Sequence, residues 1–232
     1  MAIEVIKTSI FLMRRINEGE GFLLGKANTN FKKMKDLDRK VFVVPFSRGT
    51  AKFNMERDIE FFNGFFKERT GLRLYGWTER CITYGRNQKV DKTEIPSARR
   101  PTGGGIVVHS TDISFSFFIH YRSPLWTPSV HFTYLRISNL IKEALRKRGF
   151  EVDYPREVYD NKKRREMCFE RAESHELVLN GKKVMGCALL KEKQRFLAQG
   201  TVFLEISPYE FQDALIDVLK EKGFEVHVIG SR

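Results

Sequence analysis

Residues 98–109 read Ala-Arg-Arg-Pro-Thr-Gly-Gly-Gly-Ile-Val-Val-His, so two cations, a proline, a hydroxyl and three glycines precede a β-branched run. Each glycine gives up side-chain packing and gains access to positive φ and to close backbone approach. The triple glycine therefore predicts either a tight hairpin turn with surface arginines or a loop against which a ligand lies. A phosphate loop is excluded because no Gly-Lys-Ser/Thr follows, and the dinucleotide pattern Gly-x-Gly-x-x-Gly is absent.

Size and composition indicate a folded protein with a basic surface. The 232 residues are 41% hydrophobic with 20 phenylalanines, which predicts a single domain over residues 1–232, with residues 1–40 as an N-terminal extension of unassigned role. The net charge of +12 favours polyanions or acidic protein partners. The basic residues are dispersed and no zinc-finger or RNP pattern occurs, so we expect no nucleic-acid partner.

The cysteines argue against a metal site and against an oxidising compartment. Cys81, Cys168 and Cys187 are an odd number without metal-ligand spacing, and we expect a reducing, cytoplasmic setting. No apolar run approaches the ~18 residues of a membrane span, so no membrane partner is expected.

The order of patterns predicts an α+β fold with a mixed, largely antiparallel sheet flanked by helices. Residues 72–77, 81–85 and 113–119 form an antiparallel ribbon in this reading, and the small-polar/large-apolar alternation over 113–119 predicts a half-buried strand. Asn54 is the expected N-cap of a helix that ends at Gly71. Residues 207–210 predict a capping box with proline at the first helical position.

One hairpin places a lysine in an unusual position. Asn180-Gly181 predicts a two-residue turn, which sets Val178 opposite Lys183. Lys183 then shares a face with Val178, Met185 and Cys187. An ammonium on a mostly apolar face is costly unless it meets an anion or a polar ligand, so Lys183 is a candidate functional residue.

Four further residues are candidates for chemistry or for structure. Cys168 has arginine and glutamate neighbours within a charged segment, which favours a thiolate. Cys81 lies in an apolar strand and is expected to be buried. The sequence does not decide whether the Cys187 side chain lies in the core or faces a cavity. His109, three residues before Asp112, is open between a structural and a catalytic role.

Taken together, several segments resemble the lipoate–protein ligase and octanoyltransferase family over roughly residues 41–206. The segments are Phe53-Asn54-Met55 with Asp58, Leu74-Tyr75-Gly76-Trp77 with Tyr84-Gly85 and Gln88, Arg99 to Gly105 with His109 and Asp112, Cys168-Phe169, Glu176-Leu177-Val178, Gly181-Lys182-Lys183-Val184-x-Gly186-x-Ala188, and Gln199-Gly200-Thr201. The resemblance implies the fold that this family shares with biotin–protein ligases.

The resemblance also implies an activity. Octanoyltransferases of the LipM type carry a cysteine before phenylalanine, as at Cys168, and their lysine matching Lys183 contacts the acyl carbonyl. The implied enzyme moves an octanoyl group from acyl carrier protein to a lysine of a lipoyl-domain protein, such as the glycine cleavage H protein, and needs no cofactor. The alternative is a lipoate–protein ligase that uses ATP and Mg²⁺. The hypothesis from another class is a non-catalytic basic protein that binds nucleic acid.

The family pattern further implies a substrate pocket and marks three departures from it. Gln199 replaces a usual histidine, Cys187 replaces a common serine, and Leu189 replaces a frequent glutamine, so the shape of the acyl pocket and the choice between octanoyl and lipoyl stay open. The expected substrate-binding residues are Arg99, Arg100, Thr102, Gly103, Gly104, Gly105, His109, Gly186 and Ala188.

Overall fold

A computed structural model describes residues 37–90, 93–155 and 172–230. The predicted extension over residues 1–40 therefore lies almost wholly outside the described residues, and the single-domain assignment for residues 1–232 stays a prediction. In chain order the elements are β1 (Lys40–Gly49), α1 (Ala51–Asn63), β2 (Thr70–Trp77), β3 (Cys81–Tyr84), β4 (Ser97–Arg99), β5 (Val107–His109), β6 (Ile113–His120), α2 (Val130–Arg146), β7 (Leu177–Leu179), β8 (Lys182–Glu192), β9 (Arg195–Val202), α3 (Pro208–Glu221) and β10 (Glu225–Val228).

The strands form two sheets, which confirms the α+β prediction. The larger sheet has the order β10-β1-β2-β6-β9-β8-β7, and the smaller one has the order β4-β3-β5. Strand β1 pairs in parallel with β2 and β10, while β6, β7, β8 and β9 pair antiparallel with their neighbours. The predicted single ribbon is wrong, because β2 and β3 are consecutive in the chain but belong to different sheets.

One face of the larger sheet is apolar and packs on two helices. The register aligns Leu74, Phe115, Gly200 and Cys187 in one row across β2, β6, β9 and β8. Paired residues point to the same side of a sheet, so this row faces α2 and α3. Residues of both helices, Ile137 among them, form one core cluster with this face.

The opposite face carries polar residues at alternate positions. Its two rows are Tyr75–Ser114–Thr201–Gly186 and Arg73–Ser116–Gln199–Ala188. The serines are buried, with 2% exposure for Ser114 and 0% for Ser116. The prediction that residues 113–119 form a half-buried strand is therefore wrong, since α1 and the smaller sheet cover this face and the serine hydroxyls bind buried carboxylates.

Helix boundaries differ from the sequence-based expectation for identifiable reasons. Thr50, not Asn54, is the N-cap of α1, and its Oγ1 accepts the Phe53 N–H at 3.2 Å. Asn54 is buried inside the helix and its amide donates to the carbonyls of Gly49 and Gly76. The helix ends at Asn63 rather than at residue 71.

Helix α3 follows the prediction only in part. Ser207 is its N-cap and proline occupies the first turn, but the Ser207 side chain makes no capping hydrogen bond. The predicted capping box is therefore wrong, while the stop at Gly223 is consistent with its φ of +78°. Neither α3 nor either of the other two helices among the described residues is long and apolar enough to cross a membrane.

The Asn180-Gly181 hairpin forms with the predicted pairing, but an irregularity changes which face Lys183 occupies. Val178 pairs with Lys183 as expected, yet the next pair along β7 is Leu177 with Met185. One extra residue in β8 thus interrupts the alternation, as a β-bulge does. Lys183 consequently lies on the side of Gly186, and its predicted location beside Met185 and Cys187 is wrong.

Close packing between neighbouring strands requires glycine at position 200. A Cβ there would lie 2.2 Å from Phe115 Cζ and 2.6 Å from the Gly186 carbonyl oxygen. We expect Gly200→Ala to lower the free energy of unfolding by about 1–3 kcal/mol, because the core must shift to admit the methyl group. Urea denaturation measures this, with Gly103→Ala as the control, since a Cβ at Gly103 meets nothing within 4 Å. Equal stability of the two variants would contradict the packing argument.

Candidate functional site

The candidate site is a cleft on the polar face of the larger sheet. Its empty volume is about 390 Å³, part of it open to solvent, and only a small fraction of this space is wide enough for a water molecule. The cleft is therefore a narrow slot, and its mainly apolar surface suits an apolar ligand with few polar anchors. It is lined by Met55, Tyr75, Trp77, Thr83, Arg100, Val107, His109, Ser114, Gly186, Cys187, Ala188, Gln199, Gly200 and Thr201.

The glycine-rich loop is held from inside by Arg100. One guanidinium nitrogen, Nη2, donates to the Gly103 carbonyl at 3.2 Å and to the Gly105 carbonyl at 2.6 Å. Gly104 has a φ of +89°, which disfavours residues with a Cβ. A Cβ on Gly85 would lie 2.2 Å from the Gly104 carbonyl oxygen. The glycines thus serve close backbone packing, and they bring the loop against β3.

A hydroxyl, an imidazole and a carboxylate form a buried chain at one wall of the cleft. Arg100 Nη1 donates to Thr83 Oγ1 at 2.7 Å, and Thr83 Oγ1 lies 2.7 Å from His109 Nε2. His109 Nδ1 lies 2.7 Å from Asp112 Oδ2. Because the Asp112 carboxylate can only accept, the imidazole proton lies on Nδ1, and Nε2 of the neutral ring accepts the Thr83 hydroxyl. Burial lowers the pKa of His109 in spite of its carboxylate partner, which keeps the ring neutral.

Asp112 is the anchor of this chain. Its Oδ2 accepts hydrogen bonds from His109, from Trp77 Nε1 at 3.1 Å and from the Thr201 hydroxyl, and its Oδ1 accepts the Ser110 N–H at 2.8 Å. Burial opposes ionisation, but the donors outweigh it and hold the pKa of Asp112 below its usual value. These contacts fix the His109 ring in the cleft wall, and its role toward a substrate stays a prediction.

A second buried cluster closes the cleft on the side of α1. Arg73 and Asp58 form an ion pair of 2.8 Å, and their side chains are 1% and 0% exposed. The Arg73 guanidinium also donates to Asn54 Oδ1 at 2.6 Å. Asp58 Oδ2 accepts the hydroxyls of Ser116 and Tyr75. Burial, with the nearby carboxylate of Asp58, raises the pKa of Tyr75 and keeps its hydroxyl a donor.

Gln199 joins this cluster to the glycine-rich loop. Its Nε2 donates to Asp58 Oδ2 at 2.8 Å, and its Oε1 accepts the Thr102 hydroxyl at 2.9 Å. Thr102 is fully buried and lies behind the cleft wall rather than in it. The side chain that departs from the family pattern therefore has a defined partner on each side.

Lys183 lies beside the cleft next to a carboxylate. Its Nζ is 2.6 Å from Glu176 Oε2, and the two side chains are 4% and 6% exposed. Glu176 Oε2 also accepts the Glu173 N–H at 2.8 Å. Burial raises the pKa of Glu176, although Lys183 counteracts it. A Cβ on Gly186 would lie 2.8 Å from Lys183 Cε, so glycine at this cleft position makes room for the lysine. The anion that the sequence required for Lys183 is thus Glu176.

The other predicted site residues are distributed around this centre. Gly186, Ala188, His109 and Arg100 line the cleft. Gly103, Gly104 and Gly105 form the loop that Arg100 holds, whereas Arg99 is exposed on β4, with its guanidinium 5.7 Å from the Tyr84 ring centroid. Their roles toward a substrate stay predictions.

The three cysteines occupy different environments. Cys81 is fully buried, as predicted, and burial raises the pKa of its thiol to about 12. The Cys187 side chain packs against the helix-facing core, so only its neighbourhood in the strand borders the cleft. Cys168 lies outside the described residues, and its assignment as the nucleophile stays a prediction.

Sequence reasoning missed the residues that support the cleft from behind. Arg73 lies between Leu72 and Leu74 in an apolar strand, and this pattern indicates a buried cation that is paired with an anion. The serines of β6 were a signal for a buried polar face rather than a solvent face. Glu176 appears in the sequence only as part of the family pattern. Its ion pair with Lys183 depends on the bulge in β8, which changes the face that the lysine occupies.

Tyr134 and His175 cover the edge of β8 beyond the short strand β7. The Tyr134 hydroxyl accepts the Cys187 N–H at 2.8 Å and donates to the Cys187 carbonyl, and the His175 ring lies 3.8 Å from the tyrosine ring. Burial lowers the pKa of His175 to about 4, and Lys183 also disfavours its cationic form.

This histidine predicts a pH dependence of stability. Its folded pKa of about 4 lies below the unfolded value of 6.5, so the unfolded state binds more protons between these values. The free energy of unfolding should therefore fall as pH decreases from about 6.5 to 4, by a fraction of the ~1.4 kcal/mol per pH unit that one proton allows, since His175 is half-buried and screened. His175→Gln should reduce this slope in urea titrations. An unchanged slope in His175→Gln would contradict the assignment.

Within residues 37–90, 93–155 and 172–230, no group of three or more histidine, cysteine, aspartate or glutamate side chains is arranged to hold a metal ion. The acidic residues of the site are instead satisfied by protein donors, as described for Asp58 and Asp112.

Comparison with known proteins identifies the family. The chain is 29% identical over 211 residues to Octanoyltransferase LipM of Kyrpidia tusciae, covering 80% of this chain and 76% of the relative. It is 30% identical over 170 residues to Octanoyltransferase LipM of Macrococcus caseolyticus, covering 65% of this chain and 61% of that relative. The fold is that of lipoate-protein ligase A bound with ATP, with a TM-score of 0.63 at 21% identity over 83% of this chain and 90% of that one. Residues 50–232 match the lipoyl protein ligase A/B catalytic domain, and the chain belongs to this family.

Proposed function

We propose that this protein is an octanoyltransferase that moves an octanoyl group from acyl carrier protein to a lysine of a lipoyl-domain protein through a cysteine thioester. The observation that carries the proposal is the Lys183 ammonium, which Glu176 holds against Gly186 at the edge of a narrow apolar slot. An apolar slot suits a saturated acyl chain, and a cation at its edge suits the carbonyl end.

The reaction has two balanced steps. The Cys168 thiolate attacks the octanoyl thioester of the carrier, so that an acyl–sulfur bond forms on the enzyme and the acyl–sulfur bond to the carrier breaks. The carrier leaves as a thiolate, which takes up the proton that Cys168 released. The acceptor lysine then attacks the enzyme thioester as a free amine, an amide forms, and the proton lost by the amine returns to the Cys168 sulfur. Covalent catalysis of this kind replaces one difficult step by two easier ones.

Lys183 serves both steps by its charge. The tetrahedral intermediate of each step develops an oxyanion, which a preorganised cation stabilises in a water-poor site. Glu176 keeps the ammonium in place, because its second contact to the Glu173 N–H fixes the carboxylate.

Chain connectivity supports a role for Cys168 near this lysine. Glu173, which binds Glu176, follows Cys168 by five residues. Five residues span at most about 18 Å, so the covalent chain limits how far the thiol can lie from the Lys183 pair. Asp153, which precedes the charged segment, pairs with Val178, the residue opposite Lys183.

The proposed partners follow from the same chemistry. The net charge of +12 favours an acidic acyl donor such as acyl carrier protein. A lipoyl-domain protein such as the glycine cleavage H protein supplies the acceptor lysine. The reaction as written needs neither ATP nor a metal ion, which separates it from the ligase that activates lipoate as lipoyl-AMP.

Intact-mass measurement tests the nucleophile. After incubation with octanoyl carrier protein and no ATP, we expect one octanoyl adduct on the wild-type protein, sensitive to hydroxylamine as a thioester is. Cys168→Ala should remove the adduct and lower transfer to a lipoyl domain by roughly 10³-fold or more, as loss of a nucleophile does.

Two matched cysteine variants control this experiment. Cys81→Ala and Cys187→Ala should keep the adduct, because one thiol is buried and the other packs against the core. Transfer from free lipoate that requires ATP and is unaffected by Cys168→Ala would refute the transferase and favour the ligase.

A double-mutant cycle tests the position of Lys183. Gly186→Ala should displace the flexible lysine and lower transfer roughly 10- to 100-fold, and urea denaturation checks that the variant is folded. Lys183→Met should lower transfer at least as much. In the Lys183→Met background, Gly186→Ala should cost little further activity, since both changes remove the same interaction. Additive losses would show that Gly186 acts otherwise than through the lysine.

A further inference from the structure

We infer that Gln199 is a positioning residue that forms the closed end of the acyl cleft, and that together with Met55 and Ala188 it limits the length of the acyl chain. This inference rests on the proposed acyl transfer and goes beyond it by naming the residues that limit the length of the acyl chain.

Sheet register gives the cleft a direction. Gly186 and Thr201 form one row of the polar face, and Ala188 and Gln199 form the next row. Lys183 lies at the Gly186 row. The two rows are two residues apart along β8, or about 7 Å. A chain whose carbonyl lies at Lys183 therefore reaches Ala188 and Gln199 within a medium-chain length.

Beyond Gln199 the polar face is occupied by protein. Along the strands, the next row of the same face is Leu190–Leu197–Phe118, which is buried together with Phe62 and Phe66. Ser116 and Arg73 lie beside Gln199 in its own row and are buried against Asp58. None of these side chains lines the cleft. A longer alkyl chain would have to displace closely packed apolar side chains ahead of it or break the hydrogen bonds of a buried ion pair at its side.

Donor and acceptor rules determine how the Gln199 amide is oriented. The Asp58 carboxylate oxygen accepts hydrogen bonds, so the amide nitrogen of Gln199 must face it. The amide oxygen then faces Thr102, whose hydroxyl must donate. The Gln199 side chain thus connects the buried Asp58 carboxylate to Thr102 of the glycine-rich loop. One side chain therefore holds both sides of the end wall.

Met55 completes the wall from α1. Its sulfur lies 3.5 Å from Gln199 Nε2, and its side chain is 3% exposed. Ala188 faces the cleft from β8 on the other side of Gln199. The small side chain of Ala188 leaves the cleft wide enough for an alkyl chain, and the flexible side chain of Met55 helps to close its far end.

The test compares acyl-chain profiles. Adduct formation is measured with hexanoyl, octanoyl, decanoyl and dodecanoyl carrier proteins. Ala188→Leu should lower the octanoyl rate roughly 10-fold relative to hexanoyl, because about three carbons of space are lost. Met55→Ala should raise the decanoyl rate relative to octanoyl by a similar factor. Gln199→His keeps one donor and one acceptor and should retain the octanoyl preference, whereas Gln199→Met should raise KM for octanoyl carrier more than it lowers kcat.

Controls separate the end wall from folding and from the proposed function. Ile59→Ala, on the exposed side of α1 at 42% exposure, should leave the profile unchanged. Should Met55→Ala fail to fold, Ala188→Leu tests the same wall from the other side. Adducts with unaltered chain-length profiles in both wall variants would overturn the inference and leave the transferase intact.

Stabilisation by free octanoate but not dodecanoate, measured as a Tm shift, tests the wall without any reaction. If no carrier gives an adduct, the proposed function fails instead.

Discussion

The ion pair between Asp58 and Arg73 is the interaction on which the site depends. Two charges taken out of water cost several kcal/mol each, and they persist only where further hydrogen bonds satisfy them. Here the hydroxyls of Ser116 and Tyr75 and the amide of Gln199 supply those bonds. One face of the larger sheet must therefore be polar although it is buried.

That requirement gives the larger sheet two different faces. Rows of apolar residues pack on α2 and α3, and rows of small and polar residues lie beneath α1 and the smaller sheet. Since the polar side chains bind each other, the remaining space between the layers is apolar and narrow. A slot of this kind discriminates by shape, because its polar groups are already satisfied and only a fitting hydrocarbon gains from entering.

Two rigid connections hold the glycine-rich loop over this slot. Arg100 binds the loop carbonyls and, through Thr83, the neutral His109, which Asp112 orients. Gln199 holds the loop from the other side through Thr102. A loop of three glycines is flexible on its own, so its position in the cleft depends on these side chains, and ligand binding does not have to order it.

The sequence by itself determined the fold class, the family resemblance and the hairpin at Asn180-Gly181, and it singled out Lys183 as a candidate, because these follow from local turn chemistry, periodicity and charge. Only the tertiary structure decided the face of Lys183, its pairing with Glu176, the division of β2 and β3 between two sheets, and the burial of the β6 serines. A bulge of one residue inverts every side chain beyond it, and no local pattern announces it. Burial likewise depends on which distant element covers a face, and that information exists only once the chain has folded.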